Sequence, residues 1–118
     1  MPTVLITGGA VRLGRAIVLH MAGRGYDIAL HYGTSKESAE QTANEARELG
    51  IRCETYCTDF TDFNSIALLM DRVLADFNSI ELLVNSAANF IQENLEETSD
   101  RELLDTININ LMAPFILM

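Results

Sequence analysis

Thr7-Gly8-Gly9-Ala10-Val11-Arg12-Leu13-Gly14 is the stretch whose residue types and spacing bear most directly on chemistry. Glycines remove the side chains that would keep a phosphate away from the backbone, and the free amides at a helix start carry partial positive charge. A pyrophosphate is the group that such a turn can cradle. A Walker loop is a different object, since it ends in Gly-Lys-Ser/Thr. A glycine pair can also be nothing more than a tight connection, so the flanking residues decide. Before it, residues 3–7 (TVLIT) form a β-branched, apolar run; after it, Leu13, Ala16, Ile17, His20 and Met21 recur at helical spacing. Strand, glycine turn and helix therefore stand in the order that a dinucleotide-binding turn requires.

The elements that must position this turn follow from the same reading. Gly23 and Gly25 close the first helix, residues 27–32 read as a second buried strand, and Thr34-Ser35-Lys36-Glu37 has the capping-box form of a helix start, with that helix running to Gly50. Residues 52–57 form a third strand. Beyond Thr61-Asp62, an apolar stripe of Ile66, Leu69, Met70, Val73, Leu74 and Phe77 leads to a fourth strand at residues 81–84. Ser99-Asp100-Arg101-Glu102 announces a last helix carrying Leu103, Leu104, Ile107 and Leu111. Strands separated each time by a helix cannot pair as hairpins, so the order β-α-β-α-β-α-β plus a final helix predicts an α/β, Rossmann-like, doubly wound parallel sheet of four strands. Residues 1–118 are expected to be a single NAD(P)-binding domain, and the apolar stretch from Pro114 to Met118 suggests a fragment of a longer α/β protein.

The 118 residues hold eight basic and seventeen acidic side chains, a net charge of -9 that disfavours nucleic acid and anionic membrane as partners. Its distribution is uneven. Up to Lys36 the only acidic residue is Asp27, against Arg12, Arg15, Arg24 and Lys36, so an anion is drawn to the N-terminal third. No apolar run approaches the ~20 residues of a membrane span, and no secretory leader opens the chain, which makes a cytoplasmic location the expectation. Cys53 and Cys57, about 13 Å apart along a strand, are expected to be reduced core thiols. With His20 and His31 they match no zinc-ligand spacing, so no metal is expected.

Four motifs occur in sequence: Thr7-Gly8 with Gly14, Asp59 after the third strand, Asn85-Ser86-Ala87-Ala88 after the fourth, and Asn110 in the last helix. Together they resemble the short-chain dehydrogenase/reductase family. Arg12 in place of a middle glycine, the strand end His31-Tyr32-Gly33-Thr34-Ser35, and Asn85-Ser86-Ala87-Ala88-Asn89-Phe90 are similar to its pteridine reductase and dihydromonapterin reductase branch, as is Asn110-Leu111-Met112-Ala113-Pro114-Phe115. The resemblance implies the cofactor-binding half of an NADPH-dependent oxidoreductase that delivers hydride to a carbonyl or C=N bond of a small molecule, a pteridine among the candidates. It implies that Gly8, Arg12, Leu13 and Gly14 hold the pyrophosphate, that Asp59 and Phe60 meet the adenine, and that Ser86, Ala87 and Ala88 line the nicotinamide ribose. Tyr32, Thr34 and Ser35 offer neutral donors where a carboxylate would repel a 2'-phosphate, so NADP(H) is favoured over NAD(H).

Arg12 serves the cofactor phosphates or an electron-rich substrate ring, with a solvated first-turn arginine as the plain alternative. Phe90 either stacks on a flat substrate or packs in the core. Asn110 is the catalytic residue that the resemblance assigns, holding a helix bend and a water of the proton relay; the plain alternative is a buried amide bonding backbone. Tyr32 and Lys36 match the family's Tyr-x-x-x-Lys string, but a strand end and a turn cannot stack them one helical turn apart. The family's own pair lies beyond the last helix seen here, so residues 1–118 alone are expected to be inactive. Family members also pair their last helices between subunits, which predicts a homo-oligomer in which Leu111, Met112, Phe115, Ile116 and Leu117 contact another copy or the missing half of the protein. A non-catalytic dinucleotide sensor or assembly module is the alternative function.

Overall fold

The computed structural model describes residues 2–88 and 99–118. Phe90 lies outside the described residues. Four parallel strands, β1 (Thr3–Thr7), β2 (Asp27–Tyr32), β3 (Cys53–Cys57) and β4 (Leu82–Asn85), form one sheet in the order β3-β2-β1-β4. The helices α1 (Arg12–Gly23), α2 (Lys36–Arg47) and α3 (Phe63–Phe77) make the crossovers. Chain order reverses between β1 and β4, so the first two crossovers cover one face of the sheet and the third covers the other. This is the Rossmann-like α/β arrangement that the alternation of strands and helices requires.

Strand residues alternate between two cores, as a pleat buried on both sides must. Val4, Ile6, Ile28 and Leu30 pack with α1 and α2, whereas Leu5, Ala29 and Tyr56 pack with α3. The last helical stretch is α4 (Asp100–Ile107), a π-helical turn at Asn108–Met112, and α5 (Ala113–Leu117), whose Ala113 and Leu117 join the α3 core. Among the described residues no helix is long and apolar enough to cross a membrane.

Several expectations about side chains shift. Helix α1 buries Gly14, Val18 and Ala22 rather than the Leu13–Ala16–His20 side, and Leu13 is 69% exposed. Packing against the glycine turn demands small residues, a demand that a search for large apolar side chains does not detect. Helix α2 likewise approaches the sheet through Ala39, Thr42, Ala43 and Ala46. Cys53 is buried, and burial pushes its thiol up to about 12, but Cys57 at the strand end is exposed; both are free. The Ser99 capping box forms, Ser99 Oγ accepting from the Glu102 amide at 3.0 Å. The box expected at Thr34 and Glu37 is displaced: the residue before α2 is Ser35, one position later, and it makes no side-chain cap bond.

Two glycines set how closely the elements meet. At Gly8, with φ of 61°, a Cβ would lie 2.8 Å from the Ala87 Cα; at Gly14 a Cβ would overlap the Gly8 carbonyl. Both obstacles are backbone and cannot swing aside. Gly14→Ala is therefore expected to lower unfolding free energy by at least about 2 kcal/mol. Gly23→Ala, with open space around it, is the control and should change little. Urea unfolding midpoints of the two variants check the difference.

Candidate functional site

The C-terminal ends of the strands open into a cavity of about 560 Å³. Parallel strands leave their βα turns on this side, and the reversal of chain order between β1 and β4 parts the turns there. The cavity gathers residues from four separate segments: Gly8, Arg12, Leu13 and Gly14 from the first turn, Tyr32, Thr34 and Ser35 from the second, Asp59 and Phe60 from the third, and Ser86, Ala87 and Ala88 after β4. Asn110 is not among the lining residues; it lies in the exposed part of the π-helical turn, whose Ile109 reaches the cavity instead. The buried amide of that turn is Asn108, which donates to the Thr61 carbonyl at 3.3 Å.

Internal hydrogen bonds decide which backbone groups remain for a ligand. Thr7 Oγ1 accepts from the Ser86 and Ala87 amides, both at 3.0 Å, and so ties β1 to the turn after β4. The Gly8 amide donates to His31 Nδ1 and the Gly9 amide to the His31 carbonyl, both at 3.0 Å. Thr42 Oγ1 donates to the Ala10 carbonyl at 3.0 Å, anchoring the turn to α2. The glycine pair thus shapes the turn and spends its amides on the fold. Anion-binding capacity passes to the first turn of α1.

That turn holds no acidic side chain of its own among the described residues. Val11 occupies the N-cap of α1 and offers no polar side chain, and Ser35 before α2 makes no cap bond among the described residues. By contrast, Asp62 caps α3 by accepting from the Asn64 amide, and Ser99 caps α4. The two uncapped helix starts are the ones that border the cavity. Arg12 adds a full charge there, and its φ of 53° is a left-handed backbone that costs a non-glycine residue about 1–2 kcal/mol.

Asp59 is held for acceptance. Its Oδ1 takes the Thr61 hydroxyl at 2.7 Å and the Thr61 amide at 2.9 Å, and these bonds, the hydroxyl first, hold its carboxyl below the usual range. Tyr32 contributes less than the sequence suggests. Its ring is 8% exposed and packs in the α1–α2 core, so it borders the cavity without standing free in it. Tyr32 ends a strand and Lys36 begins a helix, so the pair is not the catalytic Tyr-x-x-x-Lys.

A family model described as short chain dehydrogenase matches residues 2–118. The chain belongs to the short-chain dehydrogenase family. It is 30% identical over 113 residues to the 3-oxoacyl-(acyl-carrier-protein) reductase FabG of Staphylococcus aureus, covering 96% of this chain and 46% of that protein. To human 17-beta-hydroxysteroid dehydrogenase 13 it is 29% identical over 112 residues, covering 95% of this chain and 37% of that protein. Among solved structures, a short chain dehydrogenase from Burkholderia cenocepacia in complex with NADP superposes with a TM-score of 0.93 at 29% identity, over 98% of this chain and 47% of that one. A blue fluorescent protein from a metagenomic library in complex with NADPH also gives 0.93 at 29% identity, over 98% and 48%. The chain spans less than half the length of these relatives.

One residue beside the cavity of this short-chain dehydrogenase has a place that its sequence motif does not reveal. His31, in the sequence a part of the strand end His31-Tyr32-Gly33-Thr34-Ser35, is buried between the first and third turns, and its partners are backbone groups that no motif spells out. Burial lowers its pKa from 6.5 to about 4; the bond to the Thr58 carbonyl works against that shift and the Arg72 charge adds to it. An unfolded chain takes up this proton near 6.5 and the native one only near 4, so stability is present above 6.5 and lost as pH falls through that window. Lowering pH from about 7 to about 5 should cost about 2 kcal/mol. The carboxylates Asp59 and Glu81, whose pKa values are lowered, lose their contributions only at more acid pH. Urea unfolding across this range should show the loss in the wild type and a flatter profile in His31→Gln.

Proposed function

We propose that this chain binds NADP(H) and forms the cofactor half of a reductase acting on a small-molecule carbonyl or C=N bond. The observation that carries the reading is the convergence of two uncapped helix starts on one cavity, with Arg12 beside the first and no carboxylate from Tyr32 to Ser35 at the second. A dinucleotide with three phosphates supplies an anion to each of those two helix starts, neither of which has a side-chain cap bond. The solved relatives in complex with NADP and NADPH support the same choice.

In this reading the Leu13 and Gly14 amides and the Arg12 guanidinium bind the pyrophosphate. Thr34 and Ser35, with the first amides of α2, hold the 2'-phosphate. Asp59 accepts from the adenine amine beside Phe60, and Ser86, Ala87 and Ala88 border the nicotinamide ribose. Arg12 also lines the cavity that a substrate ring would share, and its presence on a backbone that suits glycine supports a role for its charge. NADPH, when bound, supplies the hydride. Asn110 is assigned to water and proton handling, Phe90 to contact with a flat substrate, and a pteridine-type heterocycle is the substrate class that the sequence resemblance favours. The proton donor is not assigned to any residue of this chain.

The cofactor choice is tested by fluorescence titration. NADPH should bind about 10-fold or more tightly than NADH, and Ser35→Asp, which sets a carboxylate beside the 2'-phosphate, should erase the preference. Equal affinities in the wild type would refute the reading.

Association is proposed on a separate observation. Leu103, Ile107, Leu111 and Phe115 recur every fourth residue along the last helical stretch and are exposed, making one apolar stripe. Leu117 is 3% exposed and belongs to the α3 core, so it stands outside this stripe, and Ile116 is half-buried against the same core. Each large side chain covered contributes about 1.5–3 kcal/mol, enough in sum to offset a typical association cost. Light scattering at micromolar concentration should report a homo-oligomer, and the double variant Leu111→Glu, Phe115→Glu should report a monomer.

A further inference from the structure

His31 stands where three βα turns meet. Its Nδ1 accepts from the Gly8 amide at 3.0 Å, its Nε2 lies 2.9 Å from the Thr58 carbonyl, and its own carbonyl accepts from the Gly9 amide at 3.0 Å. Its ring lies parallel to that of Phe60, with centroids 4.1 Å apart and planes 2° from each other. The side chain borders the cavity but is itself buried.

Both ring nitrogens meet backbone groups whose roles are not interchangeable. An amide N–H can only donate, so Nδ1 must carry a lone pair; a carbonyl can only accept, so Nε2 must carry the hydrogen. Neutral imidazole in the Nε2–H form is the one state that satisfies both. Imidazolium would set a second N–H against the Gly8 amide, beside the Arg72 charge, and the Nδ1–H form would break both bonds.

The positions of these partners give the arrangement its meaning. Gly8 opens the turn that leads to the α1 amides. Thr58 directly precedes Asp59 and Phe60. A rigid ring between them sets the distance from the phosphate end of the cavity to its adenine end, and the stacked Phe60 ring fixes the wall beneath. We propose that His31 is a positioning residue for the dinucleotide: as a neutral, Nε2-protonated bridge it holds the glycine turn and the Asp59–Phe60 segment at the separation that an adenosine diphosphate needs. This rests on the cofactor reading above. It also accounts for the Gly8 amide, which His31 withholds from the phosphates so that they engage the start of α1.

A side chain kept only to fill space would behave differently. His31→Leu preserves apolar volume and removes both bonds, leaving the Gly8 amide and the Thr58 carbonyl without partners. His31→Asn is smaller, but its Oδ1 falls close to the position of Nδ1 and can still accept from Gly8. If the bridge positions the cofactor, NADPH titration should rank wild type first, Asn second and Leu last, with Leu weaker than wild type by about 10-fold or more. If packing is its whole role, Leu should equal or exceed Asn, and that order overturns the proposal.

A second measurement needs neither cofactor nor variant. Two-bond proton–nitrogen spectra of protein labelled with 15N-histidine should show one ring in the neutral Nε2–H form at about pH 7 and still at about pH 5, where an exposed histidine is charged. An Nδ1–H or doubly protonated ring at His31 overturns the proposal, and this readout decides the matter if His31→Leu fails to fold. Wild-type protein that gives the Nε2–H signature yet binds no NADPH would refute the cofactor reading and the positioning role with it. Wild-type binding with Leu at least equal to Asn would refute the role of His31 alone.

Discussion

The absence of a Cβ at Gly8 and Gly14 is the constraint on which the remaining architecture depends. Gly14 comes against the Gly8 carbonyl, and Gly8 comes against the backbone of Ala87, so the first turn of α1, the end of β1 and the segment after β4 share one small volume. Widening that volume by a methyl group would separate α1 from the sheet and β1 from its neighbour at the cavity. The small residues on the buried sides of α1 and α2 extend the same close approach down the sheet. Stability and site geometry are therefore the same requirement here, imposed on the same atoms.

Hydrogen bonding then divides the polar groups between fold and ligand. Thr7 takes the two amides after β4, His31 takes the Gly8 amide and Thr42 takes the Ala10 carbonyl. Groups used in this way are out of reach of a ligand but hold the walls still. Among the described residues, what stands at the cavity without a side-chain cap is the start of α1, with Arg12 beside it, and the start of α2, both in a region of the chain that carries a positive balance. Preorganised donors of this kind need not reorganise when an anion arrives, which is the physical basis for reading the cavity as a phosphate site.

The third turn shows how acidic groups coexist with that field. Asp59 borders the same cavity, yet its Oδ1 is saturated by Thr61 and its charge is stabilised locally. Thr61 is also the acceptor for Asn108, so the loop bearing Asp59 is joined to the π-helical turn that carries Ile109 into the cavity and Asn110 beside it. A π turn widens the helix by one residue and turns the side chains that follow, and such turns collect at functional positions. The Asp59 side of the cavity and the last helix are thus linked through three hydrogen bonds at Thr61 rather than through the sheet.

The sequence by itself determined the order of elements, the parallel sheet and the location of the glycine turn, because hydrophobic period and glycine placement are local properties. Motif resemblance named twelve cofactor residues that the folded chain brings to one cavity, since each sits at the end of a strand and parallel strands all end on the same side. Tertiary structure alone decided the rest. Which face α1 buries depended on how close the glycine turn lies, so Leu13 is exposed where periodicity would have buried it. Thr34-Ser35-Lys36-Glu37 and Ser99-Asp100-Arg101-Glu102 have the same motif, yet α2 starts one residue late, after a Ser35 that makes no cap bond, while Ser99 caps α4, because a cap bond depends on backbone angles as well as on residue type. The bridging role of His31 has the deepest reason to be illegible: its partners are a backbone amide and a backbone carbonyl from segments 23 and 27 residues away, and main-chain groups leave no mark in a sequence.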